Sequence, residues 1–345
     1  MASIKGVPAQ AREVAVIGGS DSTPLRPASR HSLQGMDPRT EIREFLATRR
    51  AKITPDQAGM PLYGGRRRVP GLRREEVAML AGVSIDYYTR LEKGNVAGVS
   101  DEVLGAVARA LQLDEAERAH LFDLARAARP RRPTARPRGT QRVQASVQHV
   151  LDSAATAAAF VRNGRLDLLA ANALAQALYT PVYADPARPA NLARFCFLDP
   201  GSHELYPDWD DVANTTVALL RTEAGRDPLN RDLSGLVGEL ASNSPQFRAR
   251  WAAHDVRLHH TGVKHFRHPV AGMIEVAYNT MDLPAQPGLV LTFYTAEPGS
   301  PSEDALKLLA SWAATIPESD RQDADQQTLG AVGHDPSTRA QSLPG

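Results

Sequence analysis

Apolar residues recur at helical spacing through the first third of the chain and predict a series of short helices. One apolar face runs through residues 38–50, and another runs through residues 100–111 behind a capping residue, Ser100. Asp114 and Glu117 form a capping-box pattern ahead of a further amphipathic stretch. Together with two helices between residues 73 and 94, this pattern predicts a five-helix all-α domain.

The segment RREEVAMLAGVSIDYYTRLEKG, residues 73–94, has the spacing of a helix-turn-helix. Ala78 allows a second helix to pack closely, and Gly82 stands where the chain must leave the first helix with a positive φ. Tyr88 and Leu91, at i and i+3, are expected to face inward. An ordinary αα-hairpin in a helical bundle is the alternative interpretation, since it favours similar residues at these positions.

The pattern changes at Val143. It predicts a helix over residues 143–160, a strand that ends at Asn172 and leads into a helix, and further helices over 208–221 and 229–242. Three successive strands are expected in VRLHHTGVKHFRHP, GMIEVAYNTMDL and GLVLTFYTAEPG. Ser302 is the expected cap of a last amphipathic helix. Strands of one sheet with helices over one face predict an α+β domain, and such a sheet and its helices can enclose an apolar pocket.

Composition is consistent with a two-domain globular protein of 345 residues, 42% hydrophobic and 23% charged. The single cysteine, Cys196, excludes an internal disulfide and a cysteine zinc cage, which suits a reducing cytoplasm. No apolar run approaches the roughly 18 residues of a membrane span. The net charge of +1 is unevenly distributed, because arginines cluster around the helix-turn-helix and between residues 126 and 142.

The side chains expected to contact double-stranded DNA are basic or lie on the outer face of the second helix of the hairpin. Phosphate contacts are expected from the basic side chains and from the N-terminus of that helix, and base contacts in the major groove from Ile85, Asp86 and Arg90. Asp86 has an alternative role as a first-turn acid favoured by the helix dipole. The full set is Arg66, Arg67, Arg68, Arg73, Arg74, Ser84, Ile85, Asp86, Tyr87, Thr89, Arg90 and Lys93.

With these motifs in place, residues 36–125 resemble the XRE group of bacterial helix-turn-helix regulators, which have a lambda-repressor-like domain. Most of the remainder resembles the MmyB-like ligand-binding region, through strings such as NLARFCFLDP, LYPDWDDVA, LLRTEAGRDPLN and KHFRHPVAGMIEVAYN. The resemblance implies a PAS-like α+β sensor domain and a transcriptional regulator. It also implies a small apolar ligand, for which a fatty acid is one precedent in the family, and no other cofactor.

A carboxylate ligand buried in such a domain needs a cationic or hydroxyl partner. Arg221, His254, Tyr278 and Tyr294 are the candidates, although Arg221 is also placed to form a local ion pair with Glu223 or Asp227. The histidines between 259 and 268 lack the ligand spacing of a metal site. The alternative function for this domain is dimerisation or protein interaction without a ligand.

The chain lacks the GxSxG, GxxxxGK, GxGxxG and HExxH signatures, and Cys196 lies in an apolar stretch, so an enzyme is not expected. A palindromic operator would require a homodimer with half-sites about one DNA turn apart. The expected organisation is a disordered extension over 1–35 with Met36 as a candidate start, a DNA-binding domain over 36–128, a basic Pro/Arg linker over 129–142, a ligand-binding domain over 143–318 and a disordered tail over 319–345.

The linker is broken by Pro130, Pro133 and Pro137, so it is a poor rigid lever between the domains. A ligand signal is therefore expected to reach the DNA-binding domain through dimer geometry, with the helix predicted over 143–160 as the contact that shifts.

Overall fold

A computed structural model of the chain describes residues 37–60, 69–128, 142–187, 189–254 and 261–315. Several sequence predictions fall outside the described residues: the two ends of the chain with Met36, the arginines at 66–68, residues 129–141 of the linker, and His259 and His260.

The N-terminal region is helical, as the periodicity predicts. Its helices bury a common core that includes Ile42, Phe45, Leu72, Tyr88 and Leu91, each at 0% exposure. Asp114 and Glu117 form the reciprocal bonds of a capping box at 2.8 and 3.1 Å. The helices are α1 (Pro38–Lys52), α2 (Arg74–Ala81), α3 (Ile85–Glu92), α4 (Asp101–Ala110) and α5 (Glu115–Ala128).

The C-terminal region is an α+β domain built on a five-stranded antiparallel sheet. Its strands are β1 (Ala158–Asn163), β2 (Leu168–Ala171), β3 (Thr261–His268), β4 (Gly272–Asp282) and β5 (Leu289–Thr295), and they are ordered β2-β1-β5-β4-β3. The central strand β5 pairs β1 on one side, with Phe160 opposite Thr292, and β4 on the other, with Tyr278 opposite Tyr294.

Helices cover both faces of this sheet over part of its area and not one face as predicted, because Leu151 of α6 packs on the face opposite the larger core. The helices of this region are α6 (Ala145–Ser153), α7 (Ala173–Leu178), α8 (Thr180–Tyr183), α9 (Leu192–Leu198), α10 (Ser202–Leu205), α11 (Trp209–Arg226), α12 (Arg231–Asn243), α13 (Pro245–Ala252) and α14 (Pro301–Thr315). The larger core lies on the inner face, between the sheet and α7, α9 and α14. A smaller core on the outer face packs Leu151 of α6 against Val161 and Leu291.

Two asparagines cap helices of this region. Asn172 ends β2 and caps α7, since its Oδ1 accepts from the amides of Ala175 at 2.9 Å and Ala159 at 3.1 Å. Asn191 caps α9 in the same way through the amides of Ala193 and Arg194.

Two local predictions are wrong. The helix predicted over 143–160 ends at Ser153, and residues 158–160 belong to β1, because a strand between β2 and β5 is buried whatever the helix propensity of its alanines. The last helix is capped by Ser300, whose Oγ accepts from Glu303 N at 3.2 Å. Ser302 instead accepts from Glu275 N on β4 at 2.9 Å.

The two regions contact each other directly through α1 and α5 on one side and α11 and α13 on the other. Gly225 of α11 lies against the ring of His120, which in turn packs edge-on against Phe45 with centroids 5.2 Å apart. A Cβ at Gly225 would lie 2.7 Å from His120 Cε1, so only glycine permits this approach. We call this surface the domain contact.

Candidate DNA interface and ligand-binding core

The α2–α3 hairpin has the geometry that its sequence predicts. Gly82 adopts φ +67° as the chain leaves α2, and Ser84 Oγ caps α3 by accepting from Tyr87 N at 3.1 Å. Tyr88 and Leu91 are fully buried, which fixes the rotation of α3 about its axis. The opposite face of α3 must therefore point away from the core.

That outer face carries the side chains expected to read bases. Ile85 is 52% exposed, and Asp86 and Arg90 are also exposed, while Thr89 is half-buried. The Arg90 guanidinium lies over the Tyr87 ring at 5.7 Å, so the two side chains form one unit on the surface. The face thus combines an apolar group, an acceptor and a fork of donors, which are the groups that read base edges in the major groove.

The basic side chains around α3 are not equally available to phosphate. Lys93 is exposed, and Arg73 is exposed with a surface ion pair to Glu75 at 3.2 Å. Arg74 forms a short ion pair with the buried Glu92, which also binds Arg50 at 2.7 Å. This bond raises the pKa of Arg74 and holds α2 against α3, so Arg74 has a structural role beside any phosphate contact.

Arg221 and His254, two of the four residues expected to bind a ligand, lie at the domain contact. Arg221 is 1% exposed and binds Glu41 Oε2 at 2.6 Å and His254 Nδ1 at 2.8 Å. It does not form the local pair expected with Glu223 or Asp227. Its guanidinium also stacks on Trp251 at 4.2 Å and donates to the Trp251 carbonyl.

His254 of the same network also contacts α1. Its Nε2 lies 3.1 Å from Glu44 Oε2, and its carbonyl accepts from Arg49 of α1. Burial raises the pKa of Glu41 and lowers that of Arg221, while the mutual charges of the pair oppose both shifts. The network fastens α1, which packs behind α3, to α11 and to the end of α13.

The other two candidates, Tyr278 and Tyr294, lie on the inner face of the sheet. Tyr294 is 3% exposed and its hydroxyl bonds that of Tyr179 at 2.9 Å. Tyr278 is half-buried beside it, with ring centroids 6.5 Å apart. Both tyrosines therefore face the larger core of the ligand-binding region.

A residue that the sequence interpretation missed, Lys264 of β3, projects into this aromatic core. Its Nζ donates to the Tyr179 hydroxyl at 3.3 Å. The ammonium is surrounded by four rings, with centroids at 4.5, 5.0, 5.7 and 5.8 Å from Nζ. We call these rings the aromatic box: Tyr206, Phe266, Tyr179 and Tyr294.

Lys264 has no carboxylate partner among the residues that the structure describes. Burial lowers the pKa of Lys264 to about 8. Burial also raises the pKa values of Cys196 and Tyr294 to about 12 and those of Tyr179 and Tyr206 well above their usual range. These groups are neutral near pH 7, so the ammonium faces no anion.

The sequence contains a signal that would have found Lys264. In the strand KHFRH, Lys264 and Phe266 have the same parity, so a strand that turns Phe266 inward turns Lys264 inward as well. A lysine on the apolar face of a predicted strand is itself a candidate ligand partner.

Arg162 of β1 is a second buried cation on the inner face. It is 7% exposed, and its Nη1 donates a long hydrogen bond of 3.4 Å to the carbonyl of its neighbour Asn163. Burial lowers its pKa, and no ion pair joins it to a described carboxylate. Arg162 pairs with Val290 of β5, and Thr292, two residues farther along β5, is its diagonal neighbour. Thr292 Oγ1 is buried and has no hydrogen-bond partner among the described residues.

Comparison with known protein families agrees with this architecture. Residues 41–121 match a helix-turn-helix domain family, and residues 143–309 match the MmyB-like transcription regulator ligand binding domain. This chain is a helix-turn-helix regulator with an MmyB-like ligand-binding domain. No curated protein matches the regulator.

Two further findings bear on the regulator's partners. None of the helices in the described ranges has both the length and the apolar composition needed to cross a membrane. Across those same ranges, no group of three or more His, Cys, Asp or Glu side chains is placed to hold a metal ion.

Proposed function

We propose that this regulator is a cytoplasmic homodimer that binds a specific operator through the outer face of α3 and responds to a small apolar ligand, such as a fatty acid, in its C-terminal domain. A helix-turn-helix domain joined to an MmyB-like ligand-binding domain supports the general function of a ligand-responsive transcription regulator. The family assignment favours regulation over catalysis.

The observation that supports DNA binding is that the outer face of α3 is exposed while its inner face is fully buried. Tyr88 and Leu91 anchor the helix, while Ile85, Asp86 and Arg90 remain available to a groove. The domain contact involves α1 and α5 and leaves this surface of α3 open. Operator binding and attachment to the ligand-binding domain are therefore compatible.

The domain contact supports a direct route for the ligand signal. The inner core of the ligand-binding domain includes Trp209 at the start of α11, and Arg221 of the same helix binds α1. A ligand that favours one position of α11 would thereby favour one position of α1 behind α3. This route supplements the dimer geometry expected from the sequence, and neither route requires the proline-broken linker to carry the signal.

Two substitutions test the assignment of α3, using a duplex selected by the protein from a random library. Arg90→Ala should weaken specific binding by about 1 to 3 kcal/mol and relax one base position, because arginine can pair with a guanine edge. Lys93→Ala should weaken all sequences alike and reduce the salt slope by about one unit, because it contacts phosphate. Fluorescence anisotropy on selected and scrambled duplexes measures both effects.

Lys307→Ala on α14 is the matched control, since this exposed lysine lies in the ligand-binding domain. It should leave binding unchanged. Equal losses for Arg90→Ala and Lys93→Ala on both duplexes would contradict the assignment of base contact to Arg90.

The ligand response is tested by titrating the same duplex with delipidated protein and with protein loaded with octanoate, dodecanoate or hexadecanoate. Allosteric coupling of about 1 to 3 kcal/mol should change operator affinity by about 5-fold to 150-fold. If no acid binds, the domain is instead a dimerisation or protein-interaction module. If an acid binds without changing affinity or half-site spacing, the bound lipid is structural.

A further inference from the structure

We propose that Lys264 and the aromatic box form the binding site for the anionic head of a carboxylic acid whose apolar body lies in the inner core of the C-terminal domain. This inference deepens the proposed function and rests on it, since it requires that the domain bind a small ligand.

The charge balance of the site supports an anion. An ammonium removed from water loses its hydration, and contacts with aromatic rings do not supply the opposite charge that a carboxylate would. The phenol of Tyr179 gives one further hydrogen bond at 3.3 Å. A carboxylate would supply the missing opposite charge, and the paired hydroxyls of Tyr179 and Tyr294 provide a donor for its second oxygen.

The same geometry disfavours a cationic ligand. Aromatic boxes bind ammonium groups, but in this box the ammonium belongs to the protein. A second cation would be repelled by Lys264 at close range in a poorly solvated site. A neutral ligand could accept a hydrogen bond from the ammonium but would not supply the opposite charge.

The surroundings of the box determine the rest of the ligand. Its rings continue into an apolar cluster that contains Phe160, Leu178, Ile274 and Leu309. An alkyl or aryl body would pack against these side chains, while a polar body would lose its hydration there. The ligand class is therefore an acid with a single charged head.

The test compares dodecanoate with dodecanol on delipidated full-length protein below micellar concentrations, using isothermal titration calorimetry. We expect wild-type protein to bind the acid more tightly by about 10-fold to 100-fold, the range for a hydrogen-bonded charge. Lys264→Met should bind both compounds with similar affinity, because it keeps the chain length and loses the charge. Lys264→Arg should retain a preference for the acid.

Arg162→Met is the matched control at the other buried cation of the inner face, and Lys307→Met controls for loss of a surface charge. Both should retain the acid preference. If Arg162→Met abolishes the preference and Lys264→Met retains it, the anionic head binds at Arg162 and the proposal is overturned.

The wild-type protein provides a readout that requires no variant. The acid preference should decline as pH rises above about 8, where Lys264 loses its proton. The other titratable groups that face its Nζ are Cys196, Tyr179, Tyr206 and Tyr294, and they remain neutral through this step because their pKa values are raised.

The outcomes separate this inference from the function on which it rests. Equal binding of dodecanoate and dodecanol by wild-type protein, or an acid preference that ignores pH between 7 and about 9.5, overturns the role of Lys264 and leaves a ligand-binding regulator. Binding of neither compound overturns both the role of Lys264 and the proposed ligand class. The operator measurements on Arg90 and Lys93 are unaffected by either result.

Discussion

Two desolvated cations in this protein, the buried Arg221 and the half-buried Lys264, have opposite surroundings. At the domain contact, Arg221 binds Glu41 at 2.6 Å, stacks on Trp251 and contacts His254. In the aromatic box, Lys264 has four rings, one phenol and no described carboxylate. The first cation is neutralised by the protein itself, whereas the second is not.

The difference separates a charge with a structural role from one that we propose binds a ligand. A buried ion pair whose hydrogen bonds are made holds two elements in one arrangement, and removal of either partner leaves the other charge without compensation. An unpaired desolvated charge weakens the folded protein, and such charges cluster at ligand-binding and catalytic sites. Removal of the charge should therefore lower the free energy of unfolding at Arg221 and raise it at Lys264.

The largest expected effect is the loss of Arg221. Arg221→Met should lower the free energy of unfolding by about 3 to 5 kcal/mol, because the carboxylate of Glu41 is left buried and unpaired. Urea denaturation at pH 7 measures this loss. Adding Glu41→Gln to this variant should recover much of the lost free energy of unfolding, because it removes the unpaired carboxylate charge.

Arg226→Met is the control on the same helix. The Nε of Arg226 lies 3.6 Å from Oδ2 of Asp123, and the Arg226 side chain is 52% exposed. Arg226→Met should therefore lower the free energy of unfolding by less than about 1 kcal/mol. Similar losses for Arg221→Met and Arg226→Met would remove the distinction between the buried pair and a surface pair.

A smaller effect of opposite sign is expected at Lys264. The usual lysine pKa of 10.5 falls to about 8 in the folded protein, so below pH 8 both states are charged and the full cost of burial is present. Between pH 8 and 10.5 the unfolded chain binds more protons, and the stability of wild-type protein rises relative to Lys264→Met.

Lys264→Met should therefore be the more stable protein at pH 7, by no more than about 3 kcal/mol, and its advantage should shrink toward pH 10.5. Chemical denaturation across this range provides the measurement. A stability difference that is constant with pH would show that Lys264 is as well solvated in the folded protein as in the unfolded chain.

The smallest effect concerns the closeness of the domain contact. Gly225→Ala should destabilise the protein by about 1 to 3 kcal/mol, because the new methyl group overlaps the buried ring of His120. Gly235→Ala on the exposed side of α12 meets no atom within 4 Å and should instead stabilise by about 0.5 to 1 kcal/mol.

Thermal unfolding of the two glycine variants gives the comparison, and small-angle scattering reports whether the regions separate in Gly225→Ala. If both variants gain stability equally, the packing of α5 against α11 is looser than the contact with His120 implies.

The DNA-binding surface shows how much of a site can be predicted when its geometry is local. Ser84 directly precedes α3 and is a residue type that caps helices, and the helical period places Tyr88 and Leu91 on the inner face of α3. Gly82 is required by the turn that precedes them. These features could be predicted because they depend on neighbours a few residues away.

Predictions failed where distant segments decide the outcome. Alanines at 158 and 159 favour a helix, but pairing with β5 places them in a buried strand. Ser302 resembles a cap in the sequence, yet its hydroxyl accepts from β4 and Ser300 performs the capping. Tertiary contacts outweigh local propensity when the whole segment is buried.

The sequence by itself determined the two-region architecture, the rotation of α3 and the outer face that it presents, because apolar periodicity and capping act over a few residues. Only the tertiary structure decided which buried charges find partners. Arg221 and Glu41 are 180 residues apart, and the ring of Tyr179 reaches Lys264 across 85 residues. Whether a buried charge is paired depends on its desolvation and on its distance from an opposite charge. Both quantities are set only when the chain has folded.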